Sequence, residues 1–206
     1  MVRFAASDGT HLVGAVWGRG RRGVVLAHGR PADLCMWVPY ARRLAAGGYR
    51  VLAFDFRGAG LSAVPHYPRS NRLDLDVQAA AGALGRSGAT RTVVIGTSYG
   101  GPASFVAGAR LYPAVGGVVG LSSIDSSTIL DAAAAVAGSK VPVLLLAATG
   151  DDDIPRYSRA IYRAAKTTDK KRVIVPGYEH SVALFSGPRG PQVLAAIDAF
   201  LRSHTA

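Results

Sequence analysis

Residues 93–102 read Val-Val-Ile-Gly-Thr-Ser-Tyr-Gly-Gly-Pro, an order that few backbones accommodate. A β-branched run suited to a strand enters Gly96-Thr97-Ser98-Tyr99-Gly100, and an alanine-rich stretch of helical character follows from Ala103 to Arg110. Strand, sharp turn and helix are the setting of a nucleophile elbow. Ser98 stands at the apex, in a strained conformation, with its Oγ above the sheet and at the positive end of the following helix. Gly96 and Gly100 flank it where strand and helix approach too closely for a Cβ. The alternative is a tight strand-to-helix turn carrying an idle serine.

The rest of the chain supplies a sheet for that turn. Residues 2–17 alternate and break at Asp8-Gly9, the signal of an antiparallel hairpin. Continuous apolar runs at Arg22–His28, Tyr49–Phe56, 92–97, Val115–Leu121 and Val141–Ala148 are strands covered on both faces. A last strand is expected at Arg172–Pro176. Helical patterns fall at Trp37–Ala46, Asn71–Leu84, Pro155–Ala165 and Pro191–Arg202, and the first of these is closed by Gly47-Gly48. Val64–Arg69 holds two prolines and reads as a loop, and Ile124–Ser139 is a small-residue connection with room for one short helix. Strands alternate with helices from residue 22 onward. The expectation is one α/β domain over residues 1–206: a three-layer sandwich with a mostly parallel sheet and an antiparallel N-terminal hairpin.

Composition narrows the function classes. The chain has 206 residues, 49% of them hydrophobic, enough for one sizeable core. A single cysteine, Cys35, excludes an intramolecular disulfide and a cysteine-based zinc site. No apolar run reaches the length of a membrane span, and Met1–Gly9 is unlike a signal sequence, so a soluble cytoplasmic protein with no membrane partner is expected. The net charge of +11 comes largely from arginine, 20 residues against 4 lysines. Those charges are scattered along the chain without interleaved aromatics, the pattern of a solvated surface, and no nucleic-acid partner is expected. No cluster has metal-ligand spacing, and no Gly-x-Gly-x-x-Gly follows the first parallel strand. Neither a metal nor a cofactor is therefore expected.

In open parallel sheets the chemistry gathers at the C-terminal ends of the strands. The residues just beyond each strand are His28-Gly29-Arg30, Asp55-Phe56-Arg57-Gly58, Ser98, Asp125, Asp151-Asp152-Asp153 and Glu179-His180. A hydroxyl, carboxylates and an imidazole thus meet at one sheet edge in the order Ser, Asp, His. A serine hydroxyl needs a base within hydrogen-bond reach, and an imidazole titrates near neutrality. Ser98 is the expected nucleophile and His180 the base. His11, His28, His66 and His204 follow no late strand. Asp55 and Arg57 read as a pair that braces the loop beside the elbow.

These pieces together resemble the α/β-hydrolase family, over nearly the whole chain. The matching stretches are His28-Gly29, Asp55-Phe56-Arg57-Gly58-Ala59-Gly60-Leu61-Ser62, Gly96-Thr97-Ser98-Tyr99-Gly100-Gly101, the acidic turn after Pro142-Val143-Leu144-Leu145-Leu146, and Gly177-Tyr178-Glu179-His180. The resemblance implies a Ser98-His180-Asp triad and an oxyanion hole built from the backbone N–H groups of Tyr99 and Arg30. It gives His28 a structural hydrogen-bonding role. Family members often read Pro, strand, small-residue turn, Asp, three residues, Pro. Counting from Pro142 and back from Pro155 both select Asp151 as the acid, with Asp152, Asp153 and Asp125 as the alternatives. The connection from Ser122 to Lys140 is too short for the large lid that many relatives carry.

The implied activity is hydrolysis of carboxylic esters or thioesters through an acyl-enzyme, on a small acyl substrate. Arg30 and Arg156 near the site suggest anionic acyl groups. A non-catalytic ligand-binding or interaction protein of the same fold is the alternative.

Overall fold

A computed structural model of the chain describes residues 1–65 and 69–206. Its main sheet has eight strands: β1 (Val2–Ala5), β2 (His11–Trp17), β3 (Arg22–Ala27), β4 (Tyr49–Phe54), β5 (Arg91–Thr97), β6 (Val115–Leu121), β9 (Val143–Ala148) and β10 (Lys170–Val175). Two-residue strands β7 (Ser126–Ser127) and β8 (Leu130–Asp131) form a small separate ladder between β6 and β9. The order across the sheet is β1-β2-β4-β3-β5-β6-β9-β10. The β1–β2 and β2–β4 pairings are antiparallel, and every pairing from β4 to β10 is parallel. This is the architecture expected from the sequence. His66, read above as a loop histidine, and the rest of the Val64–Arg69 loop at 66–68 lie outside the described residues.

The strands are apolar throughout because both faces are covered, with successive residues feeding opposite layers. Val25, Val94, Val118 and Leu145 pack with α2 (Leu73–Arg86), α3 (Gly100–Leu111), α4 (Ala132–Ala137) and α5 (Ile154–Ala164). Their neighbours Leu26, Ile95, Val119 and Leu144 pack with α1 (Val38–Ala46) and α6 (Gly190–His204). Leu26, Ile95, Leu144 and Leu145 have no exposed surface, and each such burial is worth about 1.5–3 kcal/mol.

The element ends differ from the sequence reading for local reasons. Lys170 and Lys171 belong to β10, which begins two residues early: it is the sheet's edge strand, where exposed lysine is tolerated. Helix α3 begins at Gly100 rather than Ala103, because Pro102 falls in the first turn, where its missing N–H costs nothing. The 124–139 connection contains the β7–β8 ladder as well as the short helix α4, which Asp131 caps by accepting from Ala134 N–H at 2.9 Å.

The chain leaves β3 to form β4 on one side and then crosses back to place β5 on the other. The ends of β3 and β5 are therefore adjacent, with Ala27 paired to Gly96. This reversal point is where parallel sheets leave a crevice.

Candidate active site

Ser98 follows β5 with φ 49°, the left-handed region that a serine enters only when its surroundings enforce it. Its N–H points at the end of β6, toward the carbonyls of Ser122 (3.1 Å) and Leu121 (3.3 Å). The flanking glycines are required sterically. A Cβ on Gly96 would lie 2.6 Å from Gly100 O, one on Gly100 would lie 2.9 Å from Ala27 O, and one on Gly29 would lie 2.8 Å from Ser98 Cβ.

Across the crevice, the β9–α5 turn presents Asp151 and the segment after β10 presents His180. His180 Nδ1 and Asp151 Oδ1 are 2.8 Å apart. Asp151 is buried, with 6% exposure, while the imidazole keeps 44% of its surface exposed and open to a substrate. The carboxylate raises the His180 pKa above 6.5. Burial pulls the other way, and the charges of Asp151 and Asp152 add to the rise. Asp151 Oδ2 is buried without a hydrogen-bond partner among the described residues, so the directional bond of this carboxylate goes to the ring. The two other acids of the triple face outward. Asp153 occupies the N-cap position of α5 without a side-chain capping bond and pairs with the exposed Arg156 at 3.2 Å. Asp152 is exposed, with φ 37°. Asp125 accepts from the Ser126 hydroxyl at 3.2 Å. Of the four candidate acids, the structure brings Asp151 to His180.

The Ser98 hydroxyl forms no hydrogen bond to the His180 ring in this structure. Hydrogen bonds between a nucleophile and its base are often long and tighten only around a bound substrate. The two segments nevertheless meet one residue along. Thr97, just before the nucleophile position, and Ser181, just after the histidine, have their hydroxyl oxygens 2.8 Å apart and buried. Ser181 N–H donates to Ser122 Oγ at 2.9 Å. Nothing in the sequence marks Ser122 and Ser181, because titratable groups stand out at strand ends and these two carry only hydroxyls.

Arg30 lies beyond β3 in a turn closed by Ala32 N–H to Gly29 O at 3.2 Å. Its guanidinium sits 5.6 Å from the centroid of the Tyr99 ring, so the side chains of the two residues expected at the oxyanion hole are neighbours. Among the described residues neither the Arg30 nor the Tyr99 backbone N–H has a protein acceptor. A cavity of about 500 Å³ opens beside them, with Pro31, Phe56, Leu73 and Gly100 in its wall. His28 is buried beneath. Its Nδ1 lies 2.8 Å from Gly29 O and its Nε2 accepts from Phe56 N–H at 3.0 Å. Burial pushes its pKa down, so a neutral ring holds the turn with both nitrogens occupied. That is the structural role the resemblance implied.

The Asp55–Arg57 brace is corrected in its partners. Asp55 accepts from the N–H groups of Leu34 (2.8 Å) and Leu61 (2.9 Å), which ties the segment beyond the Arg30 turn to the 58–62 loop. Among the described residues Arg57 pairs with Asp76 on α2 at 2.6 Å and with Asp8 in the first hairpin at 2.7 Å. Partners 19 and 49 residues away are invisible to local spacing.

Among the described residues no group of His, Cys, Asp and Glu is arranged to hold a metal ion, and no helix is long and apolar enough to cross a membrane. A family model described as alpha/beta hydrolase fold matches residues 23–142. Among curated proteins the chain is similar to epoxide hydrolase B of Mycobacterium tuberculosis, 37% identical over 100 residues, which are 48% of this chain and 28% of that protein. The match thus spans under a third of that relative's length. Among solved structures the chain is similar to an esterase of Pyrococcus furiosus, with TM-score 0.82 and 18% identity over 100% of this chain and 92% of that one. It is also similar to a monoacylglycerol lipase of Paleococcus ferrophilus, with TM-score 0.76 and 21% identity over 94% and 99% of the two chains. At these identities the structural likeness is one of fold.

Proposed function

This chain belongs to the alpha/beta hydrolase family, and on that premise we propose that it is a serine hydrolase cleaving carboxylic esters or thioesters through Ser98, His180 and Asp151. One observation carries the reading: a buried Asp151 bonded to His180 at 2.8 Å, at the same sheet edge as a serine in the left-handed conformation. Such strain persists where the surrounding structure over-determines it, and it clusters at reactive sites.

The steps follow from the groups. Asp151 accepts the Nδ1 proton of His180, which leaves the Nε2 lone pair free as a base. Nε2 takes the Ser98 hydroxyl proton as Oγ attacks the acyl carbon. The negative charge that develops on the carbonyl oxygen is met by the N–H groups of Tyr99 and Arg30. The imidazolium then protonates the departing alcohol or thiol, and the acyl group remains on Ser98. Water, deprotonated by the same ring, releases the acid and restores the serine. An acyl substrate is favoured over an epoxide by bond chemistry. Epoxide opening by Ser98 would leave an alkyl ether, with no carbonyl for water to attack, so the enzyme would not turn over. The short 122–142 connection supports a thinly covered site for small acyl substrates.

A fluorophosphonate probe tests the proposal. It is expected to label the parent protein and not Ser98→Ala, with hydrolysis of p-nitrophenyl esters and acyl-thioesters falling by several orders of magnitude in the variant. A folded Ser98→Ala protein that keeps a tenth or more of parental activity overturns the assignment. A parent that neither labels nor hydrolyses any of these substrates supports the non-catalytic alternative.

A further inference from the structure

We infer that Ser122, Ser181 and Thr97 form a hydroxyl clamp that sets the position of His180 relative to Ser98. The inference rests on the serine-hydrolase reading and adds three positioning residues to it. None of the three touches the reacting atoms.

The bonds run through the end of β6. Ser122 is a two-sided anchor: its carbonyl accepts from Ser98 N–H at 3.1 Å, and its hydroxyl accepts from Ser181 N–H at 2.9 Å. One residue therefore holds the backbone of the nucleophile and the backbone just after the base. A second link runs beside it. Thr97 Oγ1 lies 2.7 Å from Leu121 O and 2.8 Å from Ser181 Oγ. Thr97 has one hydroxyl proton, and only a donor can satisfy the Leu121 carbonyl. The proton order is therefore fixed: Ser181 O–H donates to Thr97 Oγ1, and Thr97 O–H donates to Leu121 O. Leu121 O also faces Ser98 N–H at 3.3 Å, so both links end on Leu121, the last residue of β6, and Ser122 just beyond it.

Backbone strain marks the same positions. Ser98, Ser122 and Ser181 have φ of 49°, 46° and 60°, where glycine would be the unstrained choice. Glycine at 122 or 181 would relieve the strain but remove a hydroxyl from the clamp. Ser122 and Thr97 have no exposed surface and Ser181 has 7%, so water does not compete for these bonds. Asp151 fixes the tautomer and the far side of the ring, but its bond leaves the ring free to pivot about the Asp151 contact. The Ser181 bonds restrain that pivot from the other end. The clamp matters most before substrate arrives, while the Ser98–His180 bond is unmade.

The test compares Ser122→Ala and Thr97→Val with the parent in ester hydrolysis and fluorophosphonate labelling. Each variant is expected to lower kcat by roughly 10- to 100-fold, the cost of an ångström-scale misplacement, with KM within about twofold. The acid-limb midpoint of the pH profile should stay at its parental value, because the Asp151 contact is intact. Thr97→Ser, which restores the hydroxyl, should recover most of the Thr97→Val loss. The double variant should lose less than the product of the single losses, since both act on one loop. Near-parental kcat in Ser122→Ala and Thr97→Val, with the parent labelled normally, overturns the clamp while leaving the hydrolase reading intact. So does a loss that Thr97→Ser fails to recover. An unlabelled, inactive parent overturns both. Should Thr97→Val not fold, Ser122→Ala, which trims one oxygen, carries the comparison against its own melting temperature.

Discussion

Replacing Asp151 by asparagine separates the two contributions of that carboxylate, its charge and its hold on the tautomer. With Oδ1 2.8 Å from Nδ1, the charge centres of carboxylate and imidazolium lie roughly 4 Å apart. At an effective permittivity near 20 that attraction is about 4 kcal/mol. The ring is 44% exposed, so solvent screening reduces it to about 3 kcal/mol, or roughly 10²-fold in rate. An asparagine that turns its NH₂ toward the ring would in addition favour the wrong tautomer, and the combined loss in a serine protease triad is about 10⁴. The expected fall in kcat is therefore between about 10² and 10⁴. The pH profile moves as well. The Asp151 bond is the leading cause of the raised His180 pKa, and burial opposes it. In the parent, kcat/KM should rise as the ring loses its proton, with a midpoint above 6.5. Without the carboxylate the opposing effect of burial dominates and the midpoint should move down. Initial rates on a p-nitrophenyl ester between about pH 5 and pH 9 measure both quantities. Asp153→Asn and Asp125→Asn serve as controls, expected to stay within about twofold because their carboxylates face Arg156 and Ser126. A parent-like rate in Asp151→Asn, an unmoved midpoint, or a larger loss in either control would refute the reasoning.

Three further outcomes are expected. Gly100→Ala places a Cβ against the carbonyls of His28 and Ala27 and should lower stability by about 1–3 kcal/mol, with activity falling alongside; an unchanged melting temperature would contradict the close approach. Arg57→Met leaves Asp76, fully buried, without its cation and should cost about 3–5 kcal/mol in urea unfolding. The stability gap between parent and variant should narrow in acid. Burial works against ionisation of Asp8, but its bonds to Arg57 hold the carboxyl down at about 2, so in the parent its stabilisation is complete above 3.8 and is lost as pH falls toward 2. A parent–variant gap in urea stability that stays constant between about pH 6 and about pH 3 would remove that link. Last, Arg30 is exposed beside the cavity, and esters with a carboxylate on the acyl chain should be preferred over matched neutral ones by roughly two- to fivefold at low salt, fading at high salt. A ratio of one at both salt concentrations would discard the preference.

The parallel sheet was legible because each buried strand is a continuous apolar run, and the elbow because Gly96 and Gly100 have steric reasons to be glycine. Asp151 could be set apart from the other three acids by the spacing between Pro142 and Pro155 that the family resemblance implies. The interior electrostatics were not legible. Arg57 reaches past its neighbour Asp55 to Asp8 and Asp76, and only the packing of the first hairpin and α2 against one loop makes those contacts local. The strained serines were equally hidden. A glycine at positive φ advertises itself, whereas Ser122 and Ser181 look like ordinary loop polar residues until backbone angles and hydroxyl partners are known.

The β7–β8 turn offers a place to change what kind of enzyme this scaffold makes. Its tip at Thr128 already bends through φ 48°, and Ile129 is 58% exposed there. Exposed tips of this kind tolerate inserted sequence, because few buried groups depend on them. The ladder stands in the β6–β9 connection, which begins at Ser122 beside the end of β6. A helical hairpin spliced at residue 128, long enough to reach back over the end of β6, would roof the crevice without replacing Ser98, His180 or Asp151. Turnover would then be set by the opening of the roof, and selectivity would pass from the wall of the crevice to the width of its door.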